Sequence, residues 1–564
     1  MRKRLLFILS AMLLSVVAVA QRHSYAEESV LREGNVVKIR VKETGIHAVT
    51  YDELKKWGLQ PEQVRVLGYG GNVLSEKFAL HKWDDVPSVA FYMHKGADGV
   101  FGSGDYILFY ARGPVGWTYN GKRWAHTRNP YSNYGYYFLS DAAGEQRLID
   151  DAEAIDASGA YEVDWCTEYW LHEIDKVNLI DNTGVSGGGR HFYGETIVPN
   201  NNTLPITFDT KNVRTDKSMT CFAEVAVSAA EKTKMTMVLA GKLATRYYDA
   251  IPVSDFYTKA RVDSMQITIA AKNAGEQQVE IRMVDAASGA KAYLDYVELN
   301  VPVDLVMRGQ EMAISNTTNL KKSPTMRFVM SSATANTQIW CVTDGVNIQR
   351  MPTTKTNDGR IAWVGNNMQA EMYMAVDVAQ KSWRKPEYVG KVANQNLHAL
   401  RNKDYVIICP AEFKDAALRL AKKHEEVDHI TWAVVTAEEV YNEFSSGTPD
   451  VTAYRCLMKM LYDRAQGNKT QQPKNLLLMG SASYDNRNLL GEKSGVPQLL
   501  VYEAKNSTEE TKAYGTDDYC IRCIEEQGRR LLILAGGRGR STLYAVYDFF
   551  ERVAGCHWFW DGDV

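Results

Sequence analysis

Once the first twenty residues are passed, the chain has no apolar run long enough to cross a bilayer as a helix. It also lacks an excess of either charge. With 65 basic and 68 acidic residues the formal net charge is −3, which excludes a global field for nucleic acid or an anionic surface. Cysteine is sparse, and 8 in 564 residues do not make a disulfide scaffold. Cys166, Cys221, Cys341, Cys409 and Cys456 are scattered; Cys409 and Cys456 sit in apolar stretches where a thiol packs as a small hydrophobe. Cys520, Cys523 and Cys556 cluster near the C-terminus. Cys520-Ile-Arg-Cys523 has C-x-x-C spacing, but a zinc site needs further ligands and only Cys556-His557 is at hand. No metal site and no cofactor is expected.

At 564 residues the chain exceeds one core, since domains usually run about 100 to 200 residues, and three or four are expected. Tyrosine is abundant at 31, in keeping with a β-rich exported protein. Arg2, Lys3 and Arg4 precede a short apolar stretch at residues 5–17 and an Ala18-Val19-Ala20 cleavage site. This is the pattern of a secretory signal peptide over residues 1–20, with an uncleaved N-terminal anchor as the alternative.

Residues 21–155 read as a β-rich domain. Val36-Val37-Lys38-Ile39-Arg40-Val41 alternates and Tyr106-Ile107-Leu108-Phe109-Tyr110 is a buried-strand run. A short helix is predicted over 50–57, with Thr50 as its cap and Glu53 three residues on. Residues 156–387 read as an antiparallel sandwich. Stretches 221–227, 234–239, 264–269, 279–284 and 292–299 alternate polar and apolar residues, and turn-rich pieces separate them. Gly187-Gly188-Gly189 reads as a loop or tight turn; no helix pattern follows to make it a phosphate site.

Beyond Lys385-Pro386 the period changes, and residues 388–520 read strand, helix, strand, helix, strand. The strands are predicted at Tyr405-Val-Ile-Ile-Cys409, Ile430-Thr-Trp-Ala-Val-Val-Thr436 and Leu476-Leu-Leu-Met479. Phe413, Ala417, Leu420 and Ala421 share one face of the first helix. Thr448-Pro449 is predicted to cap the second, whose stripe is Tyr454, Leu457, Met458 and Leu461. The pattern implies a parallel sheet, whose carboxyl edge, at Gly480-Ser-Ala-Ser-Tyr-Asp485, is where ligands bind in such sheets. Residues 521–564 form a last strand–glycine turn–helix unit. Gly537-x-Gly539-x-x-Thr542 lacks the third glycine of a dinucleotide fingerprint, and no Walker lysine follows.

Three stretches carry a resemblance. They are Asp98-Gly-Val-Phe-Gly-Ser-Gly-Asp-Tyr-Ile-Leu-Phe-Tyr-Ala-Arg-Gly113, Ala292-Tyr-Leu-Asp-Tyr-Val-Glu-Leu-Asn300, and the segment from Tyr405 through Val440-Tyr-Asn-Glu-Phe-Ser-Ser-Gly-Thr-Pro-Asp450 to Ser483-Tyr-Asp-Asn-Arg487, with Thr516-Asp-Asp-Tyr519 beyond. Together they resemble the PorU-like sortases of the type IX secretion system, in the gingipain family of cysteine peptidases. Ser481 departs from the pattern, where the family usually has an acidic residue. The resemblance implies a caspase-like α/β domain, here incomplete, and processing of the C-terminal sorting signals of secreted cargo. It also implies type IX and outer-membrane partners, and export to the periplasm or cell surface.

The family's chemistry needs a thiolate beside a histidine. Members carry a His-Gly motif and a later cysteine, both beyond the stretch matched here. No His-Gly pair follows Arg487, and Cys556 and His557 are sequence neighbours whose side chains diverge in regular structure. No catalytic, cofactor-binding or metal-ligating residue is therefore assigned, and the catalytic half is expected to be missing.

From Ile533-Leu-Ala-Gly-Gly-Arg-Gly-Arg-Ser-Thr-Leu-Tyr-Ala-Val-Tyr-Asp-Phe-Phe to Cys556-His-Trp-Phe-Trp560 the wording changes. It resembles the accessory N-terminal domain of α-glucuronidase-like glycoside hydrolases, and a gene fusion or an assembly error near Asp518 is expected to account for the switch. Three functions stand. The first is a gingipain-like sortase, the second a non-catalytic secretion-associated binding module, and the third a carbohydrate-active accessory protein.

Overall fold

The computed structural model describes residues 24–179, 191–255, 258–272, 275–482, 486–487, 489, 498–499, 518–526, 529–536, 539–554, 558–559 and 562–563. The expected signal peptide, the Gly187-Gly188-Gly189 turn and the Cys556-His557 pair lie outside these residues. Among the described residues no helix is long and apolar enough to cross a membrane.

The N-terminal part is built from two sheets. Val36–Val41 lies between Glu387–Val392 and Gly135–Ser140, and the sheet continues through Arg65–Leu67 to Ser88–Val89. The chain therefore returns after residue 386 to close the N-terminal sheet before it enters the α/β part. A second sheet joins Gly45–Thr50, Tyr106–Ala111 and Phe91–His94. Every residue of Tyr106–Ala111 is buried, as its unbroken apolar run implies. Ile39, Val49, Leu54, Ile107, Phe109 and Tyr137 fill the space between the sheets. The predicted helix is there at Tyr51–Lys56, with Thr50 and Glu53 in a reciprocal capping box.

The sandwich pairs two antiparallel sheets. One runs Trp165–Glu173, Lys291–Asp304, Ser218–Ser228, Arg261–Ala270; the other runs Thr203–Asp209, Glu276–Asp285, Thr233–Leu239, Lys242–Tyr248. Alternation along Ser218–Ser228 and Glu276–Asp285 turns Cys221, Ala223, Val225, Val279 and Ile281 into a shared core. Residues 305–385 add two further sheets. The first, with Thr337–Cys341 and Met372–Asp377, packs Trp340, Met374 and Val376 against Ile46, Leu108 and Tyr110 of the N-terminal part. The second, with Thr325–Met330 and Ile361–Asn366, packs Phe328 and Trp363 into the sandwich core.

In the α/β part Tyr405–Cys409 is the middle strand of a three-stranded parallel sheet, between Trp432–Thr436 and Asn475–Leu478. The helix Lys414–Asp428 buries Ala417 and Ala421 against it. Two sequence expectations need correction. A helix over Ala437–Phe444 intervenes, started by a capping box of Thr436 with Glu439. Thr448 caps nothing: its hydroxyl donates to Gly70 O (3.0 Å) and accepts from Tyr136 N (3.2 Å), and the next helix, Thr452–Arg464, starts behind Asp450, whose Oδ1 accepts from Thr452 N (2.8 Å). A backbone carbonyl of another part of the chain wins the hydroxyl.

Near the C-terminus, Tyr519–Glu526 and Arg529–Gly536 form an antiparallel pair ahead of the helix Gly539–Phe549. Cys520 and Cys523 both lie in the first of these strands, where residues three apart face opposite sides, so the C-x-x-C spacing cannot chelate one ion.

Candidate functional site

The carboxyl edge of the parallel sheet starts from Cys409, Thr436 and the residues after Leu478. Cys409 is buried, its Sγ facing Val435 O at 3.9 Å, and burial raises its pKa. Glu439 ties the edge together. Its Oε2 accepts from Thr436 N (2.6 Å) and its Oε1 from Lys414 Nζ (2.7 Å), joining the starts of two helices. Of the loop predicted to face a ligand, Ser481–Ala482 pairs with Gln498–Leu499, and residues 483–485 lie outside the described residues.

The helix Ala437–Phe444 seats the α/β part on the N-terminal sheet. Lys38, buried at the heart of that sheet, sends its Nζ to Glu438 Oε1 (3.2 Å) and Asn442 Oδ1 (3.0 Å); burial lowers its pKa against the pull of Glu438. Ser446 Oγ accepts from Tyr69 N (2.9 Å) and donates to Tyr136 O (3.1 Å), and Asp450 accepts from Leu74 N (2.9 Å).

The same helix carries Glu443, which is fully buried and accepts four hydrogen bonds. They come from Gln395 Nε2 (3.0 Å), Leu397 N (2.7 Å), His398 N (3.0 Å) and His398 Nδ1 (2.6 Å). The His398 ring, also fully buried, stacks on Phe444. Burial alone would lower its pKa, but the carboxylates of Asp84 and Glu443 and the charge of Asp85 outweigh that and hold it up to about 9. Burial raises Asp85 to about 6. Asp84 and Asp85 also grip the first described residues, accepting from Ala26 N (2.6 Å) and Val30 N (2.7 Å).

The thiols show what chemistry these residues support. Cys456 Sγ lies 3.5 Å from His81 Nδ1, a thiol–imidazole contact on the helix Thr452–Arg464. Burial first, then the neighbouring Asp450, pushes that thiol up to about 12, so it is not an activated nucleophile. Burial likewise raises Cys221, in the sandwich core, to about 12. The sequence reading of Cys456 as packing material captured its inertness and missed its histidine, which lies 375 residues away.

Residues 398–538 match Peptidase family C25. The match runs through the pair Tyr519–Glu526 and Arg529–Gly536, past the proposed switch near Asp518. Comparison with curated proteins returns no match. Among solved structures the chain is similar to dimeric latent PorU from Porphyromonas gingivalis, with a TM-score of 0.75 and 29% identity over 86% of this chain and 46% of that one. The chain thus spans just under half the length of that relative. Slighter likenesses are to a family 35 carbohydrate-binding module from Clostridium thermocellum (TM-score 0.14, 12% identity, 24% of this chain and 91% of that one) and to a GH115 4-O-methyl-α-glucuronidase (TM-score 0.14, 13% identity, 28% and 19%); they carry no argument. A segment that matches Peptidase family C25, residues 398–538, thus sits within a chain that is similar, over most of its length, to PorU.

Proposed function

We propose that this protein is a PorU-type, gingipain-like sortase that recognises and processes the C-terminal sorting signals of secreted cargo at the periplasm or cell surface. The observation that carries this reading is the joint likeness to PorU and to Peptidase family C25, with residues 398–538 mounted on the β parts through Lys38, Ser446 and Asp450. The reactive cysteine and histidine, in this reading, are residues other than those described. A sheet–helix frame positions such a pair at its carboxyl edge, where loops are free to vary.

A second reading is a non-catalytic module that binds the same cargo. The raised thiols of Cys409 and Cys456 favour it, because neither supplies the thiolate that peptidase chemistry needs. A thiol-directed activity-based probe on the full chain separates the two. Stoichiometric labelling of one cysteine, lost in its alanine variant, supports the peptidase. Cargo binding without labelling supports the module, and neither labelling nor binding removes both.

A further inference from the structure

The chain that leaves the carboxyl edge of the parallel sheet after Asn475–Leu478 reaches into another part of the molecule. Arg487 lies in a turn shortly beyond Ser481–Ala482, and its guanidinium lands on the sandwich. Nη1 donates to Asp175 Oδ2 at 2.8 Å, and the guanidinium stands over the Phe192 ring, 5.7 Å from its centroid. Asp175 follows the sandwich strand Trp165–Glu173, and Asn133 Oδ1, from the N-terminal part, lies 3.5 Å from the same Nη1. Only 3% of the Arg487 side chain and 9% of the Asp175 side chain are exposed. An ion pair open to solvent is worth little, but a buried one couples its partners, because either charge left alone there is costly.

Asp175 is the end of a longer series of alternating charges. Arg128 Nε lies 3.6 Å from Asp175 Oδ2 and 2.5 Å from Glu173 Oε2. Glu173 Oε2 lies 3.5 Å from His126 Nε2, His126 Nδ1 lies 2.6 Å from Glu298 Oε1, and Glu298 also pairs with Arg123. Burial pushes the Glu173 carboxyl up, but its contacts with His126 and Arg128 outweigh that and hold it below its usual value. Arg123, His126 and Arg128 belong to the hairpin that pairs Val115–Tyr119 with Trp124–Arg128, while Glu173 and Glu298 stand on adjacent sandwich strands. The acceptor that meets Arg487 is therefore fixed by a hairpin and a sheet outside the α/β part, as a positioning contact requires.

We propose that Arg487 is a positioning residue that ties the carboxyl-edge loop of the parallel sheet to the sandwich through Asp175, so that the candidate site takes its shape from both parts. The contact uses charge and one donor. Arg487 Nε is buried without a hydrogen-bond partner among the described residues, so the planar fork of arginine is not engaged and a lysine can serve. That this loop serves a sorting signal rests on the function proposed above; the clasp itself does not.

The test uses the full chain and reads amide exchange by mass spectrometry together with binding of a cargo domain that carries its sorting signal. In Arg487→Met and in Asp175→Asn, exchange at Ser481–Ala482 and Gln498–Leu499 should rise about tenfold, with Tyr405–Cys409 and Ser218–Ser228 unchanged. Signal-bearing cargo should bind both variants about tenfold more weakly. The double variant should be no looser than the worse single variant, as two residues acting through one contact require. Arg487→Lys should restore both readings, which a side chain that only fills space would not do. Unchanged exchange in the single variants, additive effects in the double variant, or a lysine variant as loose as the methionine one overturns the clasp. Loosened exchange with cargo affinity intact overturns the positioning role. If the unmodified chain binds cargo equally with and without its signal, the sorting-signal reading fails instead, and exchange alone decides the clasp.

Discussion

Glu443 shows how one side chain can hold an interface. Its carboxylate satisfies two backbone N–H groups, an amide and an imidazole, all in a place closed to water. Removing it leaves those donors and a raised-pKa histidine without their acceptor. Glu443→Ala should therefore cost about 3–5 kcal/mol in urea denaturation, and Glu443→Gln less, since it keeps one acceptor oxygen. A cost under about 0.5 kcal/mol, typical of an exposed position, would mean the four bonds contribute nothing net. None of this was legible in the sequence. Glu443 lies inside the stretch that carries the family resemblance, yet a glutamate in a polar run reads as a solvated face. Its partners at 395–398 belong to a loop with no periodic signal, and Asp84 lies 314 residues before His398.

Among the elements, short-range signals transferred well when they were local and failed when another part of the chain competed for the same atom. The capping box at Thr50 and Glu53 was read and formed. The identical spacing at Thr436 and Glu439 went unread because the helix it starts, Ala437–Phe444, spans only 8 residues and hides behind a strand. Thr448 had the right chemistry for a cap, but its hydroxyl donates its hydrogen bond to Gly70 O instead. Thr436→Ala should cost about 0.5–2 kcal/mol. Because Val440, Asn442 and Phe444 are buried, the loss should appear as faster amide exchange throughout residues 437–444 and at Tyr69 and Leu74, which the segment after the helix bonds. Exchange raised only within the first turn would show that docking, not the cap, holds the helix. The parallel edge strand Asn475–Leu478 leaves Leu476 and Leu478 at 42% and 37% exposure. Parallel strands are ordinarily covered on both faces.

The sizes of the cores set an order of stability across the whole molecule. The sandwich and the N-terminal sheets have large cores, whereas the described residues beyond Val392 form one three-stranded sheet and three two-stranded pairs. Limited proteolysis should cut the chain beyond Glu387–Val392, which pairs in the N-terminal sheet, before it cuts residues 25–385, and the reverse order would contradict this account. The N-terminal sheets also carry a pH dependence. Burial lowers His47 from 6.5 to about 4, with the Gly45 carbonyl working against it and Arg384 with it. An unfolded chain binds a proton on this histidine between pH 6.5 and about 4 that the folded chain refuses, so the contribution is complete above 6.5 and is lost as pH falls through that window. The loss reaches about 3 kcal/mol, and His47→Gln should flatten the slope between pH 7 and 4.5. Equal slopes in both proteins would show that other groups govern the acid limb.

The β-rich parts, the α/β order and the family likeness were legible because each rests on periodicity or on a long specific stretch. The two extra sheets at 305–385 and the return of Glu387–Val392 to the N-terminal sheet were not, since period-two alternation does not say which sheet a strand joins. The central claim is that this chain handles the C-terminal sorting signals of secreted cargo. Its most direct test is a titration of the full chain with one cargo domain prepared with and without its sorting signal, followed by isothermal calorimetry and mass spectrometry of the mixture. The account predicts saturable binding, or shortening of the cargo at its C-terminus, only when the signal is present. Identical behaviour of the two cargo forms would contradict it.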